Sequence, residues 1–300
     1  MDQAKVRRIV TNLLSNALKF TETGTVKVSV HRLSSTVGGE EQATMDDGPR
    51  TMADNSDRLA YFILKSVNEA VREFDMLRTG DRVAVAVSGG KDSLSLLRLL
   101  QMHCQSSERR YSVAAIHVRG DATGITQPHR PLEEWLGGQD APYSVVEPEM
   151  GCDDEPPFTC QRCTWLRRKA LFQTADALGC NVVAYAHHAD DAAQTTLLNL
   201  LYGGDVRTLQ PAADYFGGRF RLIRPLFYVP ESELVRFARA CGFPPPPPAC
   251  PRSDDSRRKL VADMLKLLGR DYLKQARPNL IRAGLGRRPT TDRGRPTKDH

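Results

Sequence analysis

The stretch Arg82-Val83-Ala84-Val85-Ala86-Val87-Ser88-Gly89-Gly90-Lys91-Asp92-Ser93 runs from a continuous apolar segment of strand length, through a Gly-rich turn, into a helical pattern. A strand that is apolar at nearly every position is buried on both faces, as in a parallel sheet covered by helices. Working outward, the same alternation recurs. Helical patterns at 58–77, 93–103, 131–136, 164–178 and 192–202 are interleaved with strand patterns at 111–118, 143–146 and 181–186. Strands alternating with amphipathic helices predict a doubly wound parallel α/β sheet.

The turn at 88–93 is the first candidate site. In open α/β sheets ligands bind beyond the carboxyl ends of the strands. Gly89 and Gly90 let the backbone close around an anion, and the following helix N-terminus adds unsatisfied N–H groups. Ser88 and Ser93 supply hydroxyls, Lys91 a cation, and Asp92 a carboxylate suited to Mg²⁺. The loop is not a Walker loop, because Asp92 rather than Ser or Thr follows Lys91. No dinucleotide fingerprint follows any strand. The remaining reading is an ordinary Gly-rich strand-to-helix turn.

Cysteines form the second candidate. Cys160-Gln161-Arg162-Cys163 opens a helix, where the dipole favours thiolates. Cys250, after the proline run 244–248, is the natural third ligand, with Cys241 as a substitute. Three thiolates can hold an iron–sulfur cluster with one open iron, or Zn²⁺ with an open fourth position. A redox pair and a metal-free pair of thiols are the alternatives. Cys104, Cys152 and Cys180 lack such spacing. The third candidate is His187-His188-Ala189-Asp190-Asp191, which ends a strand on the same rim. Its carboxylates either hold Mg²⁺ or orient a reacting group, or they cap the next helix. Arg167 and Arg168, on the helix opened by the cysteine pair, are candidate phosphate contacts; a solvated surface is the plainer reading.

Composition sets bounds. The chain has 300 residues, 42 Lys plus Arg against 36 Asp plus Glu, a net charge of +6 and seven cysteines. No segment approaches the roughly 20 apolar residues of a membrane span, and the N-terminus lacks a signal-peptide core. An odd number of cysteines in such a chain favours a reduced compartment, the cytoplasm, over a disulfide framework.

The hexapeptide 88–93 resembles the PP-loop of the ATP-pyrophosphatase superfamily (the adenine nucleotide alpha hydrolase-like fold), whose members adenylate an acceptor oxygen and release pyrophosphate. A narrower resemblance follows from Cys160-Gln161-Arg162-Cys163-Thr164-Trp165-Leu166-Arg167-Arg168. It is supported by Asn68-Glu69-Ala70, Phe74-Asp75-Met76, Gly80-Asp81-Arg82, the 187–191 run, Gln194-Thr195, Tyr202-Gly203-Gly204, Ile223-Arg224-Pro225-Leu226 and Val261-Ala262-Asp263-Met264-Leu265. Collinear over about residues 58–268, these resemble the tRNA 2-thiocytidine synthetase family. The resemblance implies an ATP-dependent thiolation of cytidine 32 in tRNA. It implies ATP and Mg²⁺, and a 4Fe-4S cluster on Cys160, Cys163 and Cys250. It also implies catalytic roles for Lys91, Asp92, Asp190 and Asp191. The expected partners are tRNA and a cysteine desulfurase or other sulfur donor; a homodimer is left open, and no membrane is expected. Three features depart from the pattern: a short stretch before Cys160, the proline run, and the residues after about 273.

Residues 1–31, with Asn12-Leu13-Leu14-Ser15-Asn16-Ala17-Leu18-Lys19-Phe20, resemble the N-box of histidine kinases. The later boxes of that fold are absent, so this helix and strand read as a fragment or an accessory appendage. The expected organisation is this fragment, a linker at 32–56, the catalytic domain at 57–273 and a basic, flexible tail at 274–300. Two other functions fit parts of the sequence: a PP-loop lysidine synthetase, which has no use for the three cysteines, and a two-component signalling protein acting through residues 1–31.

Overall fold

The computed structural model describes residues 52–106, 110–121, 127–150, 156–248, 250 and 257–286. The N-box-like segment and most of the expected linker lie outside the described residues. Helix α1 (Met52–Glu73) leads to β1 (Arg82–Ala86) and α2 (Lys91–Ser106), then to β2 (Ser112–Val118), α3 (Arg130–Gly137) and β3 (Tyr143–Val146). The second half places α4 (Cys160–Ala177), β4 (Val182–Ala184), α5 (Ala189–Gly203), the hairpin β5 (Ala212–Tyr215) and β6 (Phe220–Ile223), then α6 (Glu231–Cys241), α7 (Arg257–Leu267) and α8 (Gly269–Gly284).

Among the described residues the strands form one sheet in the order β3-β2-β1-β4-β6-β5. All neighbouring pairs are parallel except β5 with β6. Alternation along each strand sends Val83, Val85, Val113, Val182 and Ala184 into one core, under α1, α2, α3 and α6. Ala84, Ile116, Val118, Val183 and Leu222 enter the other, under α4. Each apolar strand is thus covered on both faces, which is why the sequence carries no polar alternation there. The sheet is doubly wound, as expected.

The chain winds outward from β1 to β3, then returns to lay β4 on the other side of β1. This reversal makes a crevice at the carboxyl ends of β1 and β4, where an open α/β sheet binds its ligand. One buried cluster fixes the amino end of β1. Asp81 accepts from the Arg78 N–H (2.7 Å), Asn181 Nδ2 (2.8 Å) and Arg221 Nη1 (3.0 Å).

Three boundaries differ from expectation. Helix α1 begins within the segment expected as a linker and ends before Leu77, because Asp75 takes a positive φ of 45° and turns the chain. The expected tail is not a tail over residues 274–284. Helix α8 continues through them, with Ile281 buried in the main core and α8 packed on α5. Pro278 lies inside α8, and the Gly- and Pro-rich composition that suggested flexibility is accommodated within it. Lastly, the proline run is more than a spacer: Pro247 lies against Gly89.

Candidate active site

The 88–93 loop leaves β1 and folds back on itself. Gly89 has φ +87°, and a Cβ built there would lie 2.6 Å from Pro247 Cδ and 2.9 Å from Leu132 Cδ2. Only glycine fits. Ser93 Oγ donates to Gly90 O (2.8 Å) and accepts from the Ser88 N–H (3.2 Å), tying both ends of the loop. The Ser93 N–H donates to Gly90 O (3.1 Å), and the N–H groups of Lys91 and Asp92, which have no intrahelical acceptor at a helix start, form an anion site.

A cleft of about 380 Å³ opens between this loop and α4, lined by Ser88, Gly90, Asp92, Ser93, Cys163, Thr164, Arg167, Arg168, Tyr185 and His187. That lies within the range of about 300–1,000 Å³ typical of small-molecule sites. The expected loop, the cysteine-bearing helix and the end of β4 therefore meet in one crevice. Lys91 Nζ donates to Glu231 Oε1 (2.8 Å) and Asp92 Oδ2 (3.0 Å). Burial pushes its pKa down, but these two carboxylates outweigh burial and hold it above the ordinary value. Asp92 Oδ1 is buried and has no protein partner. A desolvated carboxylate oxygen at a phosphate loop fits a hard cation such as Mg²⁺.

In the carboxylate pair, Asp191 takes the helix-capping alternative and Asp190 joins three helices. Asp191 Oδ2 accepts the His188 N–H (3.0 Å) and closes the start of α5. Asp190 Oδ2 accepts the Glu231 N–H (2.8 Å), and its Oδ1 takes Arg277 Nε (2.9 Å) and Nη2 (2.8 Å). Both Asp190 oxygens are thus engaged by the protein, clamping α5, α6 and α8 together. Neither aspartate lines the cleft, and the unpartnered oxygen belongs to Asp92.

The cysteines gather around Cys163. Burial raises its thiol pKa, Arg167 lowers it, and Cys250 and Cys160 raise it as neighbouring charges. Cys250 is therefore the cysteine beside the pair. Cys241, raised by burial to about 11, instead feels Arg98 and Asp57. All three candidate thiols are free. Their soft sulfurs suit an iron centre, and Cys163 is the one of the three that lines the cleft. They are neighbours rather than a closed set: among the described residues no three His, Cys, Asp or Glu stand positioned to hold an ion.

The cleft wall contains Tyr185, which sequence reasoning passed over, and beside it His187 meets Arg224, named in the sequence only as part of the 223–226 run. Tyr185, two residues before His187, has its pKa raised by burial and accepts a hydrogen bond from Arg168. Arg224, on the segment after β6, donates from Nε to His187 Nδ1 (3.3 Å). Arg167 donates to Val118 O (3.3 Å) at the end of β2. Both expected arginines thus face the cleft. A signal for Tyr185 was present, since it ends a strand on the ligand-binding rim; Glu231 and Arg277 left none.

His187 offers a measurable consequence. Burial first, and Arg224 second, lower its pKa from 6.5 to about 4. Between these values the unfolded chain binds the proton and the folded chain does not, so stability falls as pH drops through that window. The expected loss by pH 4.5 is roughly 2–3 kcal/mol. His187→Gln removes this component, so its urea midpoint should shift less than wild type between pH 7 and 4.5. Equal shifts would exclude His187 as the source.

Comparison with known proteins accords with this geometry. A family profile described as "PP-loop domain" matches residues 159–244. That span begins after the 88–93 loop, so the loop's reading rests on its own geometry. The tRNA-cytidine(32) 2-sulfurtransferase of Cronobacter sakazakii (strain ATCC BAA-894) is 35% identical over 218 residues, covering 71% of this chain and 70% of the relative. The chain belongs to the tRNA-cytidine(32) 2-sulfurtransferase family. It is thus an enzyme of the transferase class, as the sequence motifs implied. Another relative in this sulfurtransferase family, from Salmonella arizonae (strain ATCC BAA-731 / CDC346-86 / RSK2980), is also 35% identical over the same extent. The fold of the sulfurtransferase family member described here is shared with the U34-tRNA thiolase NcsA from Methanococcus maripaludis, solved with its [4Fe-4S] cluster. That match has a TM-score of 0.59 and 24% identity, covering 76% of this chain and 79% of that one.

Proposed function

We propose that this chain is an ATP-dependent tRNA sulfurtransferase that replaces O2 of a cytidine, at position 32, with sulfur. The observation that carries the reading is the shared cleft, which has the phosphate loop on one wall and Cys163 on the other. Backbone N–H groups and the hydroxyls of Ser88 and Ser93 hold the phosphates, and Asp92 holds Mg²⁺. O2 attacks the α-phosphorus, the bond to the β-phosphate oxygen breaks, and pyrophosphate leaves. Sulfur then forms the bond to C2, and AMP departs with the former O2. Adenylation turns a poor oxygen leaving group into a good one. Positive charge from Arg167 and Arg168 on the cleft wall, with Lys91 in the adjoining loop, stabilises charge developing on phosphate. Arg168, Tyr185, His187 and Arg224 form the wall against which the base rests. His187, neutral at pH 7, adds no repulsion to the cations around it.

Cys160, Cys163 and Cys250 would hold a 4Fe-4S cluster, which supplies an open iron for carrying sulfur. Asp190 and Asp191 act as positioning groups for α5 and α6 rather than as metal ligands. Sulfide, or the persulfide sulfur of a desulfurase together with a two-electron thiol reductant, completes the cycle. The test is product analysis with anaerobically purified protein, tRNA, ATP and a sulfide source. Formation of 2-thiocytidine with one AMP and one pyrophosphate is expected, alongside iron and labile sulfide that Cys160→Ser lowers. ADP and phosphate, or a colourless zinc protein, would refute the reading.

A further inference from the structure

Two contacts near the phosphate loop have no part in the reaction just described. Lys91, the loop's lysine, is drawn to Glu231 at the first turn of α6, 140 residues away in the chain. Glu231 is in turn held in place. Its N–H donates to Asp190, and Asp190 is paired with Arg277 of α8, both side chains being only 12 and 13% exposed. The backbone that bears this carboxylate is thus fixed, and the carboxylate lies 2.8 Å from the loop's lysine, where it repels a polyphosphate and competes with it for that cation.

We propose that Glu231 is a positioning residue that reclaims Lys91 when pyrophosphate leaves, and so speeds product release. This rests on the reading that the loop binds ATP and frees pyrophosphate. When the α–β bond breaks, its electron pair leaves with the pyrophosphate oxygen, so the product carries more charge than the same phosphates did within ATP. Without a competitor, Lys91 would hold that product most tightly at the step where it must depart. The Lys91–Glu231 pair suits an exchangeable role: its side chains are 36 and 44% exposed, and pairs in that setting are weak enough for a multiply charged phosphate to displace. Arg277 and Asp190 keep the Glu231 backbone in place throughout, so Arg277, beyond the segment expected as the catalytic domain, takes part in the cycle.

The test is calorimetric titration of the full chain with inorganic pyrophosphate and Mg²⁺. Glu231→Gln removes the charge while keeping the shape, and should bind pyrophosphate about tenfold more tightly than wild type, near the lower end of what one unit charge exerts between water and a protein surface. Glu231→Ala should gain affinity in the same direction. Disruption of the fold or of the loop only weakens binding, so a gain cannot arise from damage. Equal or weaker binding by both variants overturns the proposal while leaving the ATP reading standing. Failure of wild type itself to bind pyrophosphate overturns both.

Discussion

Cys163→Ser is expected to abolish tRNA thiolation while leaving pyrophosphate binding within about twofold of wild type. The sulfur sits at the meeting point of three effects. It borders the nucleotide cleft, it is half-buried, and it has Cys160 and Cys250 as electrostatic neighbours. A serine there is nearly isosteric, so the packing of α4 survives, but its hard oxygen is a poor ligand for iron. Altering even the outer partners of metal ligands typically costs about 10–100-fold, so loss of a direct ligand should cost about 100-fold or more in 2-thiocytidine formed. Nucleoside analysis of modified tRNA reads the loss, and calorimetry with pyrophosphate reads the retained loop. Thiolation persisting near the wild-type rate would remove Cys163 from the chemistry. Loss of both readouts would instead make it a structural residue of the cleft.

Gly89→Ala should weaken ATP binding by about tenfold or more, equivalent to about 1.4 kcal/mol. Two terms add. The backbone at φ +87° disfavours any L side chain by roughly 1–2 kcal/mol. The new methyl would also meet Pro247 and Leu132 inside 3.0 Å. A proline ring in a run of five and a fully buried leucine cannot yield as a flexible side chain does, so the loop moves and its N–H groups lose aim. Gly218→Ala supplies a matched comparison, with the same φ of +87° but open space around its Cβ. It carries the backbone strain without the clash, and its ATP affinity should stay at the wild-type value. Equal losses in the two variants would mean that Pro247 and Leu132 do not shape the loop.

The parts legible in the sequence were those governed by local pattern. Val83, Val85, Val182 and Val183 announced a sheet buried on both faces, and the Gly89-Gly90 turn directly after β1 announced an anion site. Cys160 and Cys163, three positions apart at a helix start, were equally plain. What the sequence concealed depends on partners distant along the chain. Asp190 stayed open between metal ligand, orienting group and helix cap because nothing local reveals that its oxygens meet the Glu231 N–H, 41 residues on, and Arg277, 87 residues on. The 274–284 segment read as a tail because basic residues, Gly284 and Pro278 outweighed the single apolar stripe around Leu280 and Ile281. That stripe becomes decisive only when α5 stands beside it. Lys91 was legible as the loop's cation, but its link to Glu231 was not.

Pro247 and Cys250 are three positions apart, so chain geometry allows at most about 11 Å between their α-carbons. The residue that roofs the glycine turn and the third sulfur of the thiol group therefore hang from one short tether. Anchoring that tether at its sulfur end restrains the ring at the other. A change at Cys250 would therefore be felt at the ring over Gly89, so the thiol group and the phosphate loop share one piece of chain.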